Sequence, residues 1–93
     1  MEISIQCFGQ VRSITKERFV VLEVNENDSI TKALDLFVSK FGQELEKLLY
    51  TDGKIREFYF IQVDKDNIDK DELDKTNLKS NQVISIIPFI SGG

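Results

Sequence analysis

Ninety-three residues with 41% hydrophobic and 30% charged content make one small globular domain, with room for one core and not for two. A net charge of −4 with no basic cluster argues against nucleic acid as the main partner. With no histidine and one cysteine, Cys7, the chain has no internal disulfide and no Cys/His zinc cluster.

Residues 2–8 alternate strictly and predict a half-buried strand with Ile3, Ile5 and Cys7 inward, which makes Cys7 a small core residue and not a nucleophile. The acidic start carries no signal-peptide pattern, and no apolar run reaches membrane-spanning length, so a cytoplasmic protein without membrane contact is expected. Gly9 breaks the strand, and a polar loop is expected to about Glu17. A second strand over 18–24 completes a hairpin. Asn25 to Asp28 is turn chemistry, and Ser29 or Asp28 can cap the helix that follows. Ile30, Ala33, Leu34, Phe37, Val38 and Phe41 recur at the spacing of an amphipathic helix, which Gly42 stops.

Residues 43–50 predict a further helical turn or two, and 51–54 a turn. Residues 57–63 form an aromatic and β-branched third strand. Residues 64–77 are dense in Asp and Lys and read as a solvated excursion, with Ile68 and Leu73 able to seat a short strand or helical turn. Its aspartates lack the glycine and the glutamate spacing of a calcium loop. The last strand covers 82–89. A hairpin, one long helix and further strands imply an α+β domain with the helix on one face of the sheet.

The most informative segment is Ser91-Gly92-Gly93. Glycine packs nothing and costs the most entropy to order, so folding does not favour a diglycine. What the pair offers is a thin thread that can enter a narrow tunnel and present a carboxyl group to a reagent. It follows directly on the apolar run from Val83 to Ile90. The expected division is therefore a domain over 1–90 and a functional tail over 91–93, with the Gly93 carboxylate as the working group.

Three stretches resemble the ubiquitin-like β-grasp proteins, and among them the small subunit of molybdopterin synthase, a sulfur carrier. Phe8-Gly9-Gln10-Val11-Arg12 is similar to the family's segment after the first strand, and Ser29-Ile30 stands where the family opens its helix. Leu78 to Gly93 aligns without gaps to the family's turn, apolar strand and serine-glycine-glycine end. The departures are Asn81 for glycine, Gln82 for an acid, Phe89 for a second proline, and a longer excursion over 64–77. They leave room for a relative that modifies proteins, as ubiquitin-related and small archaeal modifiers do. The thiamine-pathway sulfur carrier is less similar at the tail.

The resemblance implies a mixed sheet of four to five strands on one main helix. It also implies that an E1-like adenylating enzyme uses ATP to activate Gly93, and that a persulfide donor leaves a thiocarboxylate there. The charged tail then enters the large subunit of molybdopterin synthase to build the molybdenum cofactor's dithiolene. In the alternative reading Gly93 is joined to lysines of other proteins or supplies sulfur for tRNA thiolation. Gly92 lets the thread pass, and Ser91 and Ile90 sit at the tunnel mouth. The chain holds no cofactor, base, metal or nucleotide loop of its own, so the catalytic groups are expected on partners.

Docking needs a surface. With Ile3, Ile5 and Cys7 inward, Phe8 faces away; with Ile84 and Ile86 inward, Ile87 points out. Between Tyr59, Ile61 and Val63 on one side and Phe58 and Phe60 on the other, the pattern cannot choose, because both faces are apolar. Phe8, Phe58, Phe60, Ile87 and Phe89 are expected to form a partner patch near the tail exit, with Arg12 in the first loop at its rim.

Overall fold

Alternation in the first strand sets the architecture. The computed structural model describes residues 1–89, so Ile90, Ser91, Gly92 and Gly93 lie outside the described residues. In β1 (Glu2–Cys7), Ile3, Ile5 and Cys7 are buried, as the two-residue period requires. β1 pairs antiparallel with β2 (Phe19–Glu23), where Val20 and Leu22 are the buried partners. On its other side β1 runs parallel to β7 (Val83–Pro88), which in turn pairs antiparallel with β5 (Tyr59–Val63). The short β6 (Asp66–Ile68) closes the far edge, giving the order β2-β1-β7-β5-β6. This is the five-stranded mixed sheet that the resemblance implies.

The long helix α2 (Ile30–Phe41) buries Ile30, Ala33, Leu34, Phe37 and Val38, which join Ile3, Ile5, Ile61, Ile84 and Ile86 in one core. Ser29 caps it: its hydroxyl oxygen accepts the Lys32 amide at 3.2 Å. Gly42 ends it at φ 88°, ψ −162°, a backbone region that is almost exclusively glycine's. A second helix, here α3 (Gln43–Leu49), follows at once and buries Leu45 and Leu49.

The segment after β1 corrects the sequence expectation. Residues 9–15 form a helix, α1 (Gly9–Thr15), where a polar loop was expected, and Arg12 therefore stands on a helix. Val11 and Thr15 lie four residues apart and are both buried, with Ile14 half-buried beside them. A two-turn helix with one threonine in its buried stripe carries too little apolar periodicity to stand out from a loop.

Two further differences are smaller. Asp52 and Gly53 both adopt positive φ, 52° and 76°, so the turn at 51–54 closes a two-stranded ribbon of β3 (Tyr50–Thr51) and β4 (Lys54–Ile55). β5 begins at Tyr59, two residues later than expected. The acidic excursion seats the short strand and helical turn expected of it: β6 holds Ile68, a 3₁₀ turn follows at Lys70–Glu72, and Leu73 is buried. No helix of the described residues is long and apolar enough to cross a membrane.

Candidate functional site

The helices cover one face of the sheet, and the other face carries the aromatic side chains. Tyr59, Ile61 and Val63 point into the core, which leaves Phe58 and Phe60 outward, each 47% exposed. Register then brings the remaining candidates together. Phe60 pairs across the ladder with Ile87, and the parallel pairing of Cys7 with Ile86 carries Phe8 to the same end. Phe8 is 36% and Phe89 56% exposed, and Ile87 is half-buried among them. The Phe60 and Phe89 rings meet edge-to-face with centroids 5.6 Å apart, a favoured aromatic geometry.

Phe8, Phe58, Tyr59, Pro88 and Phe89 also line a depression of about 270 Å³ at this end of the sheet. Pro88 was not among the expected site residues. It stands beyond Cys7, the last registered partner on β1, so its missing N–H costs no bond on that side. Gly9 enters α1 at φ 53° and passes close to Pro88: a Cβ there would lie 3.9 Å from the proline ring. Only the close pairing of β1 with β7 could have signalled that contact, and that pairing links residues almost eighty positions apart in the chain.

Arg12 is exposed on α1, and its amide donates to the Phe8 carbonyl at 3.3 Å. The expected tail residues Ser91, Gly92 and Gly93 lie outside the described residues. Between β7 and β1 the same sheet face is polar, and beyond it β2 exposes Phe19 and Val21. The Ser85 hydroxyl donates to Gln6 Oε1 at 3.0 Å, so the aromatic end is bounded by a hydrogen-bonded pair.

Cys7 faces the opposite way. Its thiol is buried, with Ile5 O 3.7 Å away, and burial pushes its pKa up despite a hydrogen bond to Thr15. A buried thiol held protonated is a poor nucleophile. Burial likewise raises the phenol of Tyr59, opposed by the charge of Arg56. Among the described residues no group of His, Cys, Asp and Glu side chains is placed to hold a metal. The chemistry this face offers is therefore apolar contact beside the strand that leads to the diglycine.

The fold has known counterparts. A crystal structure of small archaeal modifier protein 1 from Haloferax volcanii matches with a TM-score of 0.87 at 18% identity, covering 100% of both chains. One chain of a complex of subunits 1 and 2 of molybdopterin-converting factor from Helicobacter pylori matches with a TM-score of 0.63 at 25% identity, covering 100% of this chain and 100% of that one. The fold is thus the ubiquitin-like β-grasp. A protein of Archaeoglobus fulgidus named as a candidate sulfur carrier is 32% identical over 73 residues, or 77% of this chain and 83% of that protein. The model of the ThiS family matches residues 5–93, from the middle of β1 to the second glycine, and the chain belongs to that family.

Proposed function

We propose that this protein is a sulfur carrier whose working atom sits on the Gly93 carboxyl carbon, and that it serves as the small subunit of a molybdopterin synthase. The observation that carries the reading is the family match, which runs through the diglycine itself. The likeness to the Helicobacter pylori two-subunit complex supports the pathway.

A carboxylate is a poor electrophile, so the chemistry begins with activation. The Gly93 carboxylate attacks the α-phosphorus of ATP on an adenylating partner, and pyrophosphate leaves. A persulfide sulfur then attacks the acyl carbon and expels AMP. A thiol then attacks the donor-side sulfur of the resulting acyl disulfide, forming a disulfide with the donor, losing its proton and releasing Gly93 as the thiocarboxylate. That sulfur is polarisable and weakly hydrated, hence a far better nucleophile at neutral pH than the oxygen it replaces. The aromatic end of the sheet receives the partners, with Phe8, Phe58, Phe60, Ile87 and Phe89 as its apolar centre and Arg12 at its rim. The carrier itself contributes binding surface and a reactive end, and its partners contribute catalysis.

A second reading, conjugation of Gly93 to lysines of other proteins, shares the activation step. The strong likeness to the small archaeal modifier keeps it in view, although at 18% identity that likeness speaks to the fold alone. Intact-mass measurement on protein purified from its source under thiol-protecting conditions separates the two. Exchange of one oxygen for one sulfur, mapped to the Gly93 peptide, is the expected result. An unmodified monomer beside isopeptide-linked larger species would transfer the assignment to protein modification.

A further inference from the structure

The two edges of the sheet are not alike. β6 is three residues long, carries Asp66 and Asn67, and follows Asp64 and Lys65 at positive φ, so it is short and charged, as edges that avoid pairing are. β2 is five residues long and contains no lysine or proline, and among the described residues no strand pairs with its outer side. Hydrogen bonds flanking the β1–β2 ladder fix its phase. The Cys7 amide donates to the Arg18 carbonyl at 2.7 Å, and the Val24 amide donates to the Met1 carbonyl at 2.8 Å. Antiparallel pairs alternate between bonded and unbonded, so residues 18, 20, 22 and 24 direct their backbone groups at β1. Those of Phe19, Val21 and Glu23 point away from the sheet. The Phe19 and Val21 side chains are 48% and 53% exposed, and the Gln6–Ser85 pair separates them from the aromatic end.

We propose that the outer edge of β2 pairs antiparallel with β2 of a second copy of this chain, about a two-fold axis at Val21. That axis sets Val21 opposite Val21 and Phe19 opposite Glu23 of the other copy. The outward amides and carbonyls of these three residues are then matched by the same groups of the second chain. Charge favours the same arrangement. One end of the strand carries Lys16, Glu17 and Arg18, which are net positive, and the other carries Glu23, Glu26 and Asp28. Antiparallel pairing lays the positive end of each copy beside the negative end of the other. On the open face the two Val21 side chains meet, and each Phe19 reaches the other copy's Val21 along the diagonal. Since β6 is guarded, each chain offers one such edge, and association closes at a dimer in which two five-stranded sheets join into one. The proposal stands independently of the sulfur-carrier reading.

The test is sedimentation equilibrium of the full chain over a concentration series reaching about 1 mM, because a one-strand contact falls at the small end of protein interfaces. The mass should rise from 10.7 kDa toward twice that value. Val21 is exposed, so Val21→Lys and Val21→Glu should both fold, as circular dichroism checks. Each sets like charges directly opposite one another and should raise the Kd of the dimer about ten-fold. An equimolar mixture of the two should regain association, since opposite charges then meet across the axis. In the unaltered protein, hydrogen exchange at the Phe19, Val21 and Glu23 amides should slow as concentration rises. A parent that stays monomeric throughout would overturn the proposal. So would dimers that form without slowing those amides, or that both Val21 variants leave intact, because the contact would then lie elsewhere. Variants that are each monomeric and fail to associate when mixed would overturn the axis at Val21.

Discussion

Cys7, Tyr50 and Tyr59 share a property that sequence alone does not show: each is held protonated by its surroundings. Burial is the largest cause for all three, and Tyr50 also donates to Asp35 Oδ1 at 2.9 Å, next to that carboxylate's charge. The unfolded chain releases these protons near the ordinary values of 9.0 and 10.0, whereas the folded chain retains them to higher pH. Above about pH 9 the unfolded state therefore binds fewer protons, and stability falls as pH rises. Urea midpoints should be level near neutrality and decline from about pH 9 to about pH 11; a level profile there would show that the three groups are not shielded. The direction in which a side chain points matters as much. Phe37 is fully buried, and Phe37→Ala should cost roughly 3–5 kcal/mol. Phe60 lies on the open face, so Phe60→Asp should cost only about 1 kcal/mol through its lost contacts with Ile87 and Phe89. The same Phe60→Asp chain should bind the adenylating enzyme more weakly, as read by a raised KM in pyrophosphate exchange. Unfolding of that variant would place Phe60 in the core.

At the scale of elements, α2 is bounded by two residues that do different work. Ser29→Ala removes the oxygen that accepts the Lys32 amide and should cost about 1 kcal/mol. Gly42→Ala meets no steric obstacle, since nothing lies within 4 Å of the added Cβ, but it forces an L-residue to φ 88° and ψ −162°. That strain should cost about 1–3 kcal/mol. Urea unfolding of the two variants should rank Gly42→Ala as the more damaging, and the reverse order would mean that the backbone relaxes out of the glycine region. Both ends of α2 could be read from the sequence because caps are local chemistry. The helix α1 could not: seven residues, a glycine at its start and Thr15 in its buried stripe leave no periodic pattern to find. What holds α1 in place is packing of Val11 in the core. By contrast β6 could be read in part, because Ile68 marks a seat for a short strand in a charged run, and its pairing with Ile61 across the β5–β6 hairpin makes it one.

For the whole molecule, the terminal glycines and the domain should prove separable. Glycine brings no side chain to bury, so removing Gly92 and Gly93 should leave the urea midpoint unchanged to within about 0.5 kcal/mol. The same deletion should abolish pyrophosphate exchange. A destabilised deletion variant would show that the glycines take part in the fold. Much about this chain was settled by sequence alone: the inward set Ile3, Ile5, Cys7, Ile84 and Ile86, a cap at Asp28 or Ser29, the stop at Gly42 and the diglycine. Each of these is expressed within a few neighbouring residues, as a period of two, a capping hydroxyl or a missing side chain. The tertiary structure alone decided which face of β5 is the core, because Tyr59-Phe60-Ile61 is apolar on both sides and alternation then carries no direction. It also decided that Phe8, at one end of the chain, and Phe89, at the other, line the same depression. The parallel pairing of β1 with β7 brings them together, and a contact between residues so far apart in sequence leaves no local pattern from which it could be read.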